Sequence, residues 1–230
     1  MSSRPAALPA AVAPSVNAPH DTRLRVLEAA EALIRTEGLE ALSFREVARR
    51  AGVSHQAPYH YFPDKEAILA ALASEGFALL TERMRKARLG QGTPAARLEA
   101  IGRAYVSLAL ERPAHFKLMF RPELVKLDRF PETVLCADSS FEQLRLTVSE
   151  AIAAGLGSPE EADAMVALCW SVAHGLAGLL LDGPLLHKLG AAGAEALIAP
   201  VMASFRLMAE ARMAQNPRGP APRTKGRARS

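Results

Sequence analysis

The sequence is poor in the residues on which several classes of protein depend. Its 230 residues include only two cysteines, so we expect no disulfide framework, and the reducing environment of the cytoplasm fits. Aromatic residues make up 5% of the chain, and residues that suit β-strands are sparse beside the helix-forming alanine and leucine. The most apolar stretch, at residues 176–181, is too short to cross a bilayer, and no apolar run is long enough for a membrane span or a signal peptide. An all-α fold is therefore predicted.

The excess positive charge is confined to the C-terminal tail. The chain has 28 basic and 24 acidic residues, but five of the basic ones stand in residues 216–230, which hold no acidic residue. The remainder is nearly neutral, so the net charge of +4 does not by itself predict nucleic-acid binding. Proline, glycine and arginine dominate the tail, for which we expect disorder. Its role stays open between a solvated tail that aids solubility and an additional, non-specific contact to phosphates.

Residues 43–61 have the pattern of two short helices joined by a tight turn. A reciprocal capping box at residues 43–46 predicts the start of the first helix, and Gly52 suits the positive φ that ends it. Ser54 is the expected N-cap of the second helix, which opens with small and polar residues. Side chains of this kind near a helix N-terminus are typical of the recognition helix of a helix-turn-helix motif, but an ordinary helical hairpin can show the same pattern. Pro58 falls inside this helix and predicts a distorted first turn.

Helix signals divide the rest of the chain into two domains with disordered ends. Asp21 is expected to cap a first helix that Gly38 ends, and Asp64 to cap a long fourth helix that runs to about Leu89. Proline and glycine breaks separate further helices predicted at 95–112, 114–120, 122–129, 138–155, 159–181 and 193–214. Four parts are predicted: an arm at residues 1–20, a helix-turn-helix domain at 21–68, an effector-binding and dimerisation domain at 69–214, and a tail at 215–230. The third part takes in most of the connecting helix, which is predicted at about 65–89.

The segment 21–72 closely resembles the DNA-binding domain of the TetR/AcrR family of regulators. The resemblance is carried by Ala29, Gly38, Ser43, Val47, Ala48, the run AGVS at 51–54, the run YHYF at 59–62, and Lys65 with Glu66. It implies a three-helix DNA-binding domain in which Ser43 and Arg45 touch the phosphate backbone. The side chains implied to face the major groove are Ser54, His55, Gln56, Tyr59 and His60, and those implied to hold phosphates beside it are Tyr61 and Lys65. Gln56 can pair bidentately with adenine.

Two segments of the C-terminal half resemble the WHG-type domain of one branch of this family. They are PAHFKLMF at residues 113–120 and WSVAHGL at residues 170–176. This resemblance implies a homodimer joined by the helices at about 159–181 and 193–214, with an effector pocket between the middle helices. The side chains predicted to line the pocket are Tyr105, Phe116, Met119, Phe120, Phe141, Trp170 and His174. Each could instead be an ordinary core residue, and His174 could instead bond a neighbouring backbone carbonyl and so hold two helices together.

These features predict a ligand-responsive transcriptional regulator that binds an inverted-repeat operator in double-stranded DNA as a homodimer. Repression is the usual sign in the family, and activation stays open. The apolar lining predicts a small, largely apolar effector. No cofactor, metal or membrane partner is expected. An enzyme or a metal sensor is disfavoured because the six histidines and two cysteines form no metal-ligand or catalytic pattern. A purely architectural DNA-binding protein would not need so large an apolar helical domain.

Overall fold

The computed structural model describes residues 19–90, 92–189 and 193–215, and every regular element within them is helical. The predicted all-α fold is thus confirmed. The predictions for residues 1–18 and 216–230 lie outside the described residues. Among the described residues, the N-terminal domain contains three helices, α1 (Pro19–Glu37), α2 (Phe44–Ala51) and α3 (Ala57–Tyr61), with a 3-10 turn at Leu39–Ala41 between the first two.

The C-terminal domain is a bundle arranged around one central helix. Its helices are α4 (Lys65–Arg88), α5 (Pro94–Glu111), α6 (Pro113–Met119), α7 (Pro131–Ala153), α8 (Ala162–Leu181), α9 (Pro184–Leu189) and α10 (Glu195–Gln215). Helix α5 packs against α4, α8 and α10, so it lies inside the bundle. Helix α4 begins in the N-terminal domain and continues along the bundle, where α7 packs against it over much of its length.

Three helices begin at prolines that lie two or more residues before the predicted start, or where no helix was predicted. Helix α1 begins at Pro19, two residues before Asp21, which therefore lies in its first turn and is not its cap. Helix α7 begins at Pro131 instead of residue 138, and the unpredicted α9 begins at Pro184. Proline is well suited to the first helical position, because its φ is already helical and its missing N–H would have no partner there.

The helix predicted at 122–129 is wrong, and a tertiary contact supplies the physical reason. Only a 3-10 turn at Leu127–Arg129 forms in this stretch. The backbone at Lys126 is extended, and its N–H donates to a carboxylate oxygen of Glu66 on α4 at 2.8 Å. A bond to a side chain from another part of the chain thus replaces the bond that a continuing helix would make.

One helix also corrects an expectation about apolar runs. The helical stretch Pro159–Leu181 is long and apolar enough to cross a membrane, judged by length and composition alone. Core helices of soluble proteins pass the same test, so this single match is weak evidence for a membrane span. Helix α8, which makes up most of the stretch, packs against α5 on one side and leaves apolar residues exposed on the other.

The two domains share buried surface. The N-terminal core contains Leu27, Leu33 and Val47, all fully buried, together with the first turns of α4. Leu118 of α6 and Val125, which follows α6, pack into this same cluster. The contact sets the position of the helix-turn-helix relative to the bundle.

Candidate DNA-binding surface and effector cavity

The recognition helix α3 begins later than its sequence pattern predicts. Residues 54–56 form a turn in which the Ala57 N–H donates to the Ser54 carbonyl at 3.0 Å, and Gln56 precedes the first helical residue. Ser54 is therefore not the N-cap. Pro58 becomes the second helical residue and is buried, so its missing N–H forfeits no intrahelical bond. The distortion expected near Pro58 thus takes the form of a turn at residues 54–56, and the helix that contains Pro58 is regular from Ala57 onward.

The predicted DNA-facing side chains lie on the helix-turn-helix segment and at the start of α4, and most of them are exposed. The exposed members are Ser43, Arg45, Ser54, His55, Gln56, Tyr59, His60 and Lys65, whereas Tyr61 is partly buried. The Tyr59 ring packs edge-on against Phe44 with ring centroids 4.3 Å apart, and 49% of the residue is exposed. The Lys65 ammonium lies at the first residue of α4 and donates to the Leu39 carbonyl at 3.1 Å. Contacts of these residues with DNA stay predictions.

Half of the predicted capping box forms at α2. The Ser43 hydroxyl accepts from the Glu46 N–H at 3.3 Å, as predicted. The reciprocal half is wrong, because the Glu46 carboxylate accepts from Arg49 at 2.5 Å and from Arg50 at 3.0 Å. Hydrogen bonds between charged groups are stronger than those to a neutral amide. The hydrogen bonds from Arg49 and Arg50 also lower the pKa of Glu46 to about 2.

Arg25 of α1 supports the turn of the motif, and sequence reasoning missed it. Its guanidinium Nη2 donates to the carbonyls of Ala51 at 2.5 Å and Gly52 at 3.0 Å, which are the end of α2 and its cap. Gly52 adopts a φ of 63°, in the left-handed region that favours glycine. A cation at this helix end also interacts favourably with the helix dipole. Arg25 therefore holds the turn from which the recognition helix departs.

The bundle contains a partly open apolar cavity of about 330 Å³ between α4, α5, α7, α8 and α10. Five of the predicted lining residues surround it, namely Tyr105, Met119, Phe120, Phe141 and Trp170. Phe116 and His174 are not in the lining. The other residues of the lining are Phe77, Leu80, Met84, Leu98, Ile101, Gly102, Leu127, Ala137, Asp138, Ser140, Leu144, Cys169, Val172, Ala173, Met202 and Phe205.

The Tyr105 hydroxyl joins α5 to two side chains of α8. Because an indole N–H can only donate, the Trp170 Nε1 donates to the Tyr105 oxygen, at 3.2 Å. The Tyr105 hydroxyl is then free to donate to His174 Nδ1, 2.7 Å away. Burial raises the pKa of Tyr105 and lowers the pKa of His174, which keeps both groups neutral. His174 thus holds two helices together, through a phenol and not through the backbone carbonyl considered from the sequence.

A network of ion pairs connects the cavity wall to the start of α4. Arg129 pairs with Asp64, the N-cap of α4, at 2.8 Å and also with Glu66. Hydrogen bonding to Arg129 lowers the pKa of Asp64. Leu127, two residues before Arg129, lines the cavity. The segment 121–130 therefore touches both the cavity and the helix that follows the recognition helix, and no local sequence pattern indicated this.

A helix-turn-helix with an exposed recognition helix, joined to a helical bundle with an apolar cavity, defines a class of DNA-binding regulators. The comparisons with known proteins agree with this class. Residues 26–72 match the family model described as bacterial regulatory proteins, tetR family, and residues 98–216 match the one described as tetracyclin repressor-like, C-terminal domain. The chain belongs to the TetR family of transcriptional regulators, whose members bind DNA, typically as dimers, and are not enzymes. Its assignment to the WHG-type branch stays a prediction.

Curated relatives resemble the chain mainly through a segment of about 80 residues. The transcriptional repressor KstR of Mycolicibacterium smegmatis is 36% identical over 81 residues, which cover 35% of this chain and 40% of KstR. The regulator BetI of Pectobacterium atrosepticum is 38% identical over 84 residues, which cover 34% of this chain and 42% of BetI. The chain thus spans about two fifths of the length of these relatives.

Solved structures resemble the chain over most of its length. A protein of unknown function from Rhodococcus sp. RHA1 is 30% identical, with a TM-score of 0.66 over 81% of this chain and 94% of that one. The TetR-family regulator PfmR of Thermus thermophilus is 22% identical, with a TM-score of 0.64 over 80% of this chain and 97% of that one. The likeness to PfmR concerns the fold alone, and it extends over both domains.

Proposed function

We propose that the protein is a repressor that binds an inverted-repeat operator as a homodimer and releases it when a small, largely apolar molecule enters the cavity. The observation that carries this proposal is the cavity itself, whose lining includes Leu127 of the segment that contacts the start of α4. The repressor name of KstR supports the sign of regulation. A ligand can release DNA only if it binds better to a state whose recognition helices no longer fit the operator.

The dimer is supported by uncharged faces that α8 and α10 expose to solvent. Large apolar side chains on these faces include Leu168 and Leu179 of α8. On α10 they include Leu207, which is 58% exposed, and Met208, which is 64% exposed. A Cβ added at Gly175 of α8 would meet no atom within 4 Å, so a second copy has room to approach closely. Exposed apolar faces of this kind mark interaction surfaces. A two-fold dimer then requires a two-fold symmetric operator.

Selection of bound sequences from a random DNA library tests the DNA-binding part of the proposal. We expect an inverted repeat whose half-sites are about one helical turn apart, or a multiple of that distance. Light scattering at micromolar concentration should show a dimer. A monomer that binds a single half-site with undiminished specificity would contradict the proposal.

A screen of small molecules tests the effector part. Molecules that raise the melting temperature should also release the selected operator. Ala137→Phe adds a ring to the cavity wall and should abolish both effects. Ser139→Phe adds the same ring on the exposed side of α7 and serves as the matched control. Retention of both effects in Ala137→Phe would show that the molecules act elsewhere.

A further inference from the structure

The polar groups of the cavity lining are occupied within the protein, with one exception. The Tyr105 hydroxyl and the Trp170 N–H bond each other, and the Ser140 hydroxyl donates to the Ala137 carbonyl at 2.8 Å. Burial raises the pKa of the Cys169 thiol to about 12, so it stays protonated and neutral. The exception is the Asp138 carboxylate, which has no hydrogen-bond or ion-pair partner among the described residues.

Asp138 is also the charged member of a lining that holds no lysine, arginine or histidine among the residues described around the cavity. A carboxylate that loses water without gaining a partner is strongly destabilised. A neutral ligand covering Asp138 would therefore bind at a penalty, and an anionic ligand would be repelled. If the ligand carried a positive charge at this position, its direct attraction to the Asp138 carboxylate would offset the free-energy cost of removing water from that carboxylate.

The exposed residues of the lining place this carboxylate at the open end of the cavity. Asp138 is exposed, and so are Phe141 at 36% and Trp170 at 39%, whereas other residues of the lining, such as Ile101 and Met202, are buried. An elongated ligand would enter with its apolar part first and leave its head group beside Asp138.

Two exposed aromatic rings, of Phe141 and Trp170, share the cavity lining with Asp138. Phe141 lies three residues after Asp138 and therefore on the same face of α7. The centroids of the Phe141 and Trp170 rings are 5.6 Å apart. Ring faces attract cations through their quadrupoles, and most strongly in the case of tryptophan. The carboxylate and the two rings thus favour the same kind of head group.

We propose that the cavity selects lipophilic organic monocations, with the apolar body inside and an ammonium group at the mouth, between Asp138 and the rings of Phe141 and Trp170. This inference rests on the proposed function, since it assigns a chemical class to the effector. It departs from the effector predicted from the sequence, which was uncharged or weakly charged, because it adds one full positive charge to an apolar body. His174, the polar contact expected there, does not line the cavity.

Three probes with the same alkyl chain test the selection: decyltrimethylammonium, 1-decanol and decanoate, each below its aggregation concentration. Trp170 is the single tryptophan of the chain and lines the cavity, so its fluorescence reports binding. The cation should bind roughly tenfold more tightly than either other probe, as expected for one partly exposed charge pair with a cation–π contact.

Substitutions at Asp138 separate charge selection from apolar burial. Asp138→Asn should reduce the preference for the cation to within about twofold, and Asp138→Lys should reverse it in favour of decanoate. Asp163→Asn removes the same charge from an exposed site outside the lining and should keep the wild-type preference. Melting temperatures of all variants establish that they are folded.

The failures of the two proposals can be told apart. Equal binding of the three probes, or an unchanged preference in Asp138→Asn, overturns the charge selection while leaving an apolar effector cavity in place. If no probe alters the Trp170 fluorescence or the melting temperature, the charge selection and the effector cavity are both wrong.

Discussion

Replacing Arg25 by methionine tests whether a single side chain of α1 positions the recognition helix. The substitution keeps most of the apolar stem and removes the guanidinium that donates to the Ala51 and Gly52 carbonyls. Those two carbonyls end α2 and begin the turn that leads to α3. We expect a less stable N-terminal domain and weaker operator binding, because the turn would have to be ordered on the DNA.

The size of the effect follows from the geometry. A hydrogen bond to a charged group contributes about 1.5–3 kcal/mol, and the partial exposure of Arg25 reduces this to about 1–2 kcal/mol. In a chain of this size 1 kcal/mol corresponds to about 2–4 °C, so the melting temperature should fall by roughly 2–8 °C. If the same energy is needed to order the turn on binding, the operator Kd should rise roughly 5- to 30-fold.

Thermal unfolding, monitored by circular dichroism, measures the melting temperature. A fluorescence anisotropy titration with the selected operator measures the Kd. Arg35→Met is the matched control, since Arg35 stands on the same helix and is exposed. Its stability should change by no more than about 0.5 kcal/mol. If Arg25→Met and Arg35→Met have the same melting temperature and the same Kd, the guanidinium does not support the turn and the reasoning is refuted.

Four further predictions concern DNA contacts and pH. Lys65→Ala should weaken all DNA sequences equally and lower the slope of log affinity against log salt by about one, as measured by anisotropy titrations. Gln56→Ala should relax the preference at one base pair by about 1–3 kcal/mol, and unchanged discrimination among operator variants would show that Gln56 reads no base. Deleting residues 217–230 should lower the salt slope by a few units at most and leave the preferred sequence unchanged; an unchanged slope would restrict the tail to solubility. Because burial lowers the pKa of His174, the folded protein takes up this proton less readily than the unfolded chain, so the unfolding free energy should fall as pH decreases below about 6.5. Urea unfolding at pH 5 and pH 7 should show a smaller pH effect in His174→Asn, and an equal effect would exclude His174 as the cause.

Local sequence patterns predicted the features that depend on near neighbours. Ser43 and Asp64 were identifiable as caps because each accepts a hydrogen bond from an amide three residues later, from Glu46 and Ala67. The sequence pattern predicted too early a start for the recognition helix, because serine is a favoured N-cap residue and Ser54 stands just before the polar stretch. The polar residues after it take part in a turn, and the helix starts only at Ala57. Whether a short polar stretch is a turn or a first helical turn depends on packing that the pattern does not contain.

The parts of the site that sequence reasoning missed are contacts between residues distant in the chain. Arg25 bonds a carbonyl 26 residues away, and Arg129 bonds Asp64 65 residues away. Aromatic content pointed to Tyr105, Phe120, Phe141 and Trp170 in the cavity wall, since large rings are needed to surround a cavity. Asp138 was missed because charged residues of an amphipathic helix are assigned to solvent by default. Its place in the lining depends on how α7 is rotated against the bundle.

The segment 121–130 matters for the proposed response because it has no regular helix to hold its shape. Contacts on two sides fix its position instead: Leu127 in the cavity wall, Val125 in the N-terminal core, and Arg129 on the cap and first turn of α4. The Arg129 pairs are open to solvent, so water and salt weaken each of them. Allosteric coupling between two sites is itself a modest free energy, well within what the binding of a small ligand can supply. Ion pairs of this strength can hold the DNA-binding geometry in the absence of effector. A ligand can break these pairs if it binds tightly enough to displace Leu127. A much stronger connection would resist any small ligand, and a much weaker one would transmit nothing to the recognition helix.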